Sequence, residues 1–312
     1  MMWVKLYFSF FLIISTTLLQ AQTARDSYES GNRKLDNQDY KGAIADYSNA
    51  LKIEPSFSDA YYNRGICHAN LSETEAALND YTQAININPH FADAYYNRGT
   101  IYEDLSRYTE AIADYTRTVN LRPDYSSAYY NRGGIYDDLG KADMAILDYT
   151  KTISLKPEHA NAYYNRGFSY MGLKRFYDAI EDYSKAISIQ PDHAHAFLGR
   201  GNVYFALIRY DEAIRDFSMA IQLKPDFAGA FNRRAKSYYI LNQLKSSVVD
   251  YTKAISLKPD NSSYYHDRGV TYFEMGQYQA ARKDYEKAIS LNPDFEIAKI
   301  DLKATLAKLG VK

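Results

Sequence analysis

The chain has 312 residues, of which 46% are hydrophobic and 24% charged, with a formal net charge of −1. That much apolar content argues against an unfolded chain, and near-neutral charge gives no global pull toward nucleic acid or an anionic membrane. The unusual number is 32 tyrosines, about a tenth of the sequence.

Taken in chain order, residues 1–21 read as a secretory signal peptide. Lys5 supplies the positive start, and Leu6 to Leu19 form an apolar run too short to span a bilayer comfortably. Ala21 is the small residue at which cleavage is expected, and an uncleaved anchor is the alternative. The expected location is secreted or periplasmic, with no membrane span left after cleavage. Cys67 is the only cysteine, so no intramolecular disulfide can form. It falls where the chain elsewhere carries Ile101, Ile135 and Val203, which reads as a buried small hydrophobe.

From residue 24 the chain repeats. The word AYYNRG stands at 60–65, 94–99, 128–133 and 162–167, always 34 residues apart. If its glycine is position 8, eight units run 24–57, 58–91, 92–125, 126–159, 160–193, 194–227, 228–261 and 262–295, without insertion or deletion. Residues 296–312 remain as a capping helix, with Ile297, Ile300, Leu306 and Leu309 spaced for one face. All eight prolines fall at position 32, from Pro55 to Pro293, and punctuate successive helices. Apolar residues at positions 4, 8 and 11, and again at 20, 24 and 27, have helical spacing. Each unit therefore reads as a helix–turn–helix hairpin.

The pattern of an aromatic at 4, Gly at 8, Tyr at 11, Ala at 20, Tyr or Phe at 24, Ala at 27 and Pro at 32 resembles the tetratricopeptide repeat. In the third unit these are Tyr95, Gly99, Tyr102, Ala111, Tyr115, Thr118 (in place of Ala) and Pro123. Other departures include Ser27 and Lys34 in the first unit, His68 in the second, Thr152 in the fourth, and Ala235 and Ser247 in the seventh. The resemblance implies an all-α fold, a right-handed α-solenoid superhelix of stacked hairpins with a C-terminal capping helix. Glycine inside a helix costs about 1 kcal/mol against alanine. Its recurrence at position 8 points to close helix approach, with the rings at positions 4 and 24 as core. Arg occupies position 7 in all units but the first, and Asp occupies position 23 in every unit. Because the first unit has Ser30 instead of Arg yet keeps Asp46, each Asp is expected to pair with the Arg of the following unit, as Asp46–Arg64 and Asp80–Arg98.

Positions 2, 5, 6, 9, 12 and 13 of the first helix face away from that packing, and in the family this face lines the groove where partners bind. It holds Tyr62–Asn63, Tyr96–Asn97, Tyr130–Asn131 and Tyr164–Asn165. An amide offers both donor and acceptor and can grip a peptide unit whatever its side chain. The run is similar to the asparagine ladder of the O-linked N-acetylglucosamine transferase's repeat region. The alternative is that duplication copied the pair and it only faces water. Asp59, Asp93, Glu103, Asp104, Asp137 and Asp138 make the N-terminal part of the groove acidic, whereas Arg233 and Lys236 bring positive charge further on. The family's carboxylate clamp is not met by any three consecutive units; the nearest, five to seven, offer Tyr164, Phe168, Gly199, Gly229 and Arg233.

The expected partner is a protein or peptide, basic and extended, held by a non-catalytic interaction scaffold. A glycan stacking on the tyrosines of an export or envelope assembly is the alternative. No nucleic-acid partner is expected. No hydrolase, redox or phosphate-binding motif occurs, so neither catalysis nor a cofactor is expected. His159, His193 and His195 near two inter-unit turns read as solvated turn residues rather than metal ligands.

Overall fold

The computed structural model describes residue 20 and residues 22–311, so the expected leader lies almost wholly outside the described residues. Contacts separate the described chain into two compact bodies, one ending at Lys141 and one beginning at Ala142. The first holds α1 (22–36), α2 (Tyr40–Ile53), α3 (Ser58–Asn70), α4 (Thr74–Ile87), α5 (Ala92–Asp104), α6 (Tyr108–Leu121) and α7 (Ser126–Asp138). The second holds α8 (Ala142–Leu155), α9 (Ala160–Gly172), α10 (Phe176–Ile189), α11 (Ala194–Ala206), α12 (Tyr210–Leu223), α13 (Ala228–Ile240), α14 (Leu244–Leu257), α15 (Ser262–Glu274), α16 (Tyr278–Leu291) and α17 (Glu296–Leu309). No strand occurs among the described residues. Each helix packs on its chain neighbours within its body, as α3 does on α2 and α4, which makes the chain an all-α solenoid of helical hairpins.

Within a hairpin the contact is a ring against a glycine. The position-24 aromatics Tyr47, Tyr81, Tyr115, Tyr149, Tyr183, Phe217, Tyr251 and Tyr285 are all at most 2% exposed. A Cβ added at Gly65 would meet the Tyr81 ring at 2.8 Å, and one at Gly201 would meet Phe217 at 2.7 Å. The glycine is therefore required by proximity, and its helix cost is repaid by a buried ring contributing on the order of 1.5–3 kcal/mol. Between hairpins the contact is alanine on alanine. Ala60 clusters with Ala50, and Ala94 with Ala84, all without exposure. Cys67 is fully buried beside Tyr47, and burial pushes its thiol up to about 11.

The charge pairing differs from the expectation. Six of the position-7 arginines grip the Asp of their own hairpin: Arg64 with Asp80, Arg98 with Asp114, Arg166 with Asp182, Arg200 with Asp216, Arg234 with Asp250 and Arg268 with Asp284. For Arg166 the geometry is a two-pronged fork, Nε to Oδ2 at 2.8 Å and Nη2 to Oδ1 at 2.7 Å. The remaining nitrogen, Nη1, makes the link between repeats. It donates to the position-25 hydroxyl of the preceding hairpin: Arg64 to Ser48, Arg98 to Thr82, Arg132 to Thr116, Arg166 to Thr150, Arg200 to Ser184, Arg234 to Ser218 and Arg268 to Thr252, at 2.8–3.0 Å. In the first hairpin, where position 7 is Ser30, Lys34 takes over Asp46 at 2.7 Å.

Two further expectations are revised. The position-4 tyrosines Tyr61, Tyr95, Tyr129 and Tyr163 are half-buried rather than core. With the position-11 ring they flank the guanidinium, as Tyr163 and Tyr170 do at 5.7 and 5.8 Å from Arg166. On α17 the packed residues are Ala298 and Thr305, while Ile297 and Ile300 stand 59% and 65% exposed. Helical spacing gives a stripe but does not say which side of the helix meets α16.

Position 15, between the two helices, is left-handed throughout: Gln38, Ser72, Ser106, Gly140, Lys174, Ile208, Asn242 and Gly276 all have φ between 57° and 71°. Ile208 is the outlier, β-branched and 73% exposed. Ile208→Asn is expected to raise stability by about 1 kcal/mol in urea denaturation, since backbone strain is relieved and little packing is lost. The Arg network yields a second prediction. A double-mutant cycle of Arg200→Ala with Ser184→Ala should show coupling of about 1 kcal/mol across the repeat boundary, whereas Arg200→Ala with Asp182→Ala should show none. Arg200→Ala alone should cost about 3 kcal/mol, because Asp216 is left buried and unpaired.

Candidate functional site

The face built from positions 2, 5, 6, 9, 12 and 13 of the first helices carries a second polar network beside the Arg–Asp forks. In the first body its tyrosines and asparagines bond to each other from one repeat to the next. Asn97 Nδ2 donates to the Tyr62 hydroxyl at 3.1 Å, and Asn131 Nδ2 donates to those of Tyr96 and Tyr115, both at 3.3 Å. Asn63 Nδ2 donates to the Tyr28 hydroxyl at 3.1 Å and to Asn32 Oδ1 at 2.9 Å. The amide nitrogens are thus committed within the protein, and none of the described residues donates to the amide oxygens of Asn63, Asn97 or Asn131.

The position-5 rings are wedged rather than displayed. Tyr62 lies 4.6 Å from Phe91 and 5.9 Å from Tyr81, and Tyr96 lies 4.8 Å from Tyr125 and 5.7 Å from Tyr115. Desolvation, the leading cause, pushes the Tyr62 hydroxyl up to about 12, with the Asp93 charge adding to it. Tyr130 is half-buried on α7. In the second body Tyr164 lies 5.8 Å from Tyr183 and 4.9 Å from His193, and Asn165 is half-buried on α9.

The acidic residues are unequal. Asp59, Asp104 and Asp138 are exposed, and Asp137 is half-buried. Asp93 is held by Arg122 Nη1 at 2.9 Å, which spends its charge on the edge of the face. Glu103 accepts the Tyr115 hydroxyl. Its carboxyl is pushed above the usual range by burial first, and then by the charges of Asp104 and Asp138, against the lowering effect of that hydrogen bond. Negative charge is therefore concentrated around Glu103 between the third and fourth first helices. In the second body Arg233 is exposed, and Lys236 is paired with Asp267 at 3.0 Å.

Sequence reasoning missed three groups. Asn32 accepts from both Tyr47 and Asn63. Asp267 and Tyr251 belong with Lys236 at one site in the second body. The signal for all of them was a rule now visible in the contacts: position 9 of one repeat meets position 6 of the next, and the position-24 hydroxyl reaches the same place. His159 and His193 are helix caps, accepting from Ala162 and Ala196 backbone N–H groups at 3.2 Å. No metal-holding group of His, Cys, Asp and Glu occurs among the described residues.

At the end of the second body the Tyr–Asn link is replaced by an ion pair. His266 at position 5 meets Asp301 of α17 at 2.9 Å, with Asp267 at 3.6 Å and the Tyr285 and Phe295 rings beside it. Burial opposes the imidazolium, but hydrogen bonds and charges from Asp267 and Asp301 outweigh it and raise the His266 pKa. A raised folded-state value contributes stability that is complete below the unfolded value near 6.5 and is lost as pH rises through the folded one. Amide protection along α17, corrected for intrinsic exchange, should accordingly fall as pH rises above about 6.5, and Asp301→Asn should flatten that dependence.

Tetratricopeptide repeat models match residues 58–91, 92–125, 126–159, 160–193, 194–227 and 262–295, and a TPR repeat model matches 31–72 and 235–276. No curated protein matches the chain. Similar solved structures include the MamA protein, with 28% identity and a TM-score of 0.51, covering 55% of this chain and 94% of that one. A tetratricopeptide repeat protein from Parabacteroides merdae ATCC 43184 is 23% identical with a TM-score of 0.58, covering 80% and 98%. YrrB, described as a TPR protein with an unusual peptide-binding site, is 20% identical with a TM-score of 0.53, covering 61% and 97%. Residue pattern, hairpin geometry and family models agree over about eight tandem repeats, and the chain belongs to the tetratricopeptide repeat family.

Proposed function

We propose that this protein is a non-catalytic interaction scaffold whose first body holds a basic, extended polypeptide segment along α3, α5 and α7. The fold is of a kind typical of protein–protein interaction, and tetratricopeptide proteins are generally scaffolds rather than enzymes. The observation that carries the finer reading is the half-committed amide. Asn63, Asn97 and Asn131 give their nitrogens to the neighbouring repeat, which fixes each side chain and leaves an oriented acceptor for a peptide N–H. The negative charge around Glu103, with exposed Asp104 and Asp138, supplies the preference for a cationic partner. Pre-set side chains lose less entropy on binding, so three modest hydrogen bonds can count.

Glycan stacking on the position-5 tyrosines finds less support, because Tyr62 and Tyr96 are packed between other rings. Export remains part of the proposal on the character of residues 1–21 alone; among the described residues no helix is long and apolar enough to cross a membrane.

Calorimetry with unstructured lysine-rich and glutamate-rich peptides of equal length tests the reading. The lysine-rich peptide should bind at least tenfold tighter, and its affinity should fall as salt rises. Replacing Asn63, Asn97 and Asn131 together with Leu, with helicity confirmed by circular dichroism, should weaken it on the order of tenfold or more. Equal affinity for both peptides, or undiminished binding by the folded triple variant, would overturn it.

A further inference from the structure

The second body contains a cavity of about 260 Å³ among α11, α13, α14 and α15. Phe205, Tyr239, Ile240 and Val270 form its apolar walls, and Lys236, Tyr251 and Asp267 stand together as its polar part. By position these residues belong to the same face as the asparagines of the first body, but the chemistry is different.

Tyr251 is only 2% exposed, and none of the described residues hydrogen-bonds to its hydroxyl. Two of its counterparts are engaged: Tyr47 donates to Asn32 at 2.8 Å, and Tyr115 donates to Glu103 and accepts from Asn131. The difference follows from the sequence. Where those repeats offer Asn at position 9, Glu at position 12 or Asn at position 6 of the next, this one offers Lys236, Tyr239 and Asp267. Asp267 lines the same cavity. Its Oδ2 is buried and lies 3.0 Å from Lys236 Nζ without the angle a hydrogen bond needs. A nearly buried hydroxyl with no hydrogen-bond partner and a buried carboxylate oxygen paired only with Lys236 line one cavity with apolar walls. A buried hydroxyl of this kind costs roughly 1–3 kcal/mol if left unsatisfied.

We propose that this cavity binds the side chain of a tyrosine or tryptophan presented by a partner polypeptide. The ring lies against Phe205, Tyr239, Ile240 and Val270. Its O–H or N–H donates to Asp267 Oδ2, and a tyrosine oxygen also accepts from Tyr251. A cationic side chain fits less well, because Asp267 already faces Lys236 and has His266 3.6 Å from its other oxygen. A sugar fits less well, because its hydroxyls ring the whole molecule whereas the polar groups here are grouped around the Lys236–Asp267 pair. A purely aliphatic or phenyl side chain would leave the Tyr251 hydroxyl unmet and would offer Asp267 no donor.

The inference rests on the reading that this face of the first helices takes polypeptide. It is tested with single capped amino acids, so its outcome is separate from that of the peptide experiment on the first body. Titrations of the full chain with N-acetyl-tyrosinamide, N-acetyl-tryptophanamide and N-acetyl-phenylalaninamide are followed by amide chemical shifts at Ile240 and Val270. The tyrosine and tryptophan probes should saturate these shifts, with the phenylalanine probe at least fivefold weaker. Tyr251→Phe should weaken the tyrosine probe about two- to tenfold and leave the tryptophan probe almost unchanged. The scaffold tolerates that change, since Phe217 already occupies the same position in the sixth repeat. Val270→Phe should fill the cavity and abolish binding. Equal affinity for phenylalaninamide, tighter saturation of the same shifts by N-acetylglucosamine, or no saturable shift with any probe would overturn the proposal.

Discussion

The interaction on which the structure depends is the arginine at position 7. One guanidinium closes its own hairpin by a fork onto Asp and reaches back to a hydroxyl on the hairpin before it. Aromatic rings one turn away on either side hold it in place. A buried carboxylate would by itself oppose folding. Here it is matched in geometry by a planar donor that is also anchored elsewhere, so the desolvation cost secures register within a hairpin and between hairpins together. The ring–glycine contact supplies apolar stabilisation within a hairpin, and the same ring also packs on the next repeat, as Tyr47 does on Cys67. The arginine adds a directional bond to the alanine and ring contacts that stack one hairpin on the next.

Much of this was legible in the sequence. Period, proline punctuation, glycine at position 8 and small residues at 20 and 27 were sufficient for the hairpins, because each reflects a steric demand that only one or two residue types meet. The pairing of charges was misread for an instructive reason. The missing arginine in the first repeat was matched against an aspartate of the neighbouring unit, whereas the group that arginine reaches in the preceding unit is the position-25 hydroxyl. The same column explains the other end: Glu286 stands at position 25 of the eighth repeat, and the following helix has Leu302 in place of arginine. On α17 spacing predicted a stripe, but Ala298 rather than Ile297 or Ile300 meets the eighth hairpin, because close approach there favours methyl-sized side chains.

The candidate site was only half legible. A conspicuous Tyr–Asn pair suggested a surface waiting for a ligand, yet its hydroxyls and amide nitrogens serve the array itself. What a repeat can offer a partner is the residue of its polar capacity after neighbours have been satisfied, and that remainder cannot be read from one repeat alone. It depends on position 24 of one hairpin, positions 9 and 12 of its first helix and position 6 of the next. Where all are polar and matched, an amide oxygen is left over. Where the set is Lys236, Tyr239, Tyr251 and Asp267, a cavity with unmet groups results.

The arginine-to-hydroxyl bond and the asparagine-to-tyrosine bond recur at the same two places of successive junctions in the first body. The ends of a hairpin are therefore chemically interchangeable, as with bricks sharing one bond pattern. If residues 92–125 were excised, Thr82 would face Arg132 and Tyr62 would face Asn131, each meeting the residue type it already meets. Array length is thus free to change in steps of 34 residues without any new side chain being invented, while the ligand-facing leftovers are redrawn each time. Such a chain can lengthen or shorten its reading frame by copying, and alter what it reads by drift at a few columns.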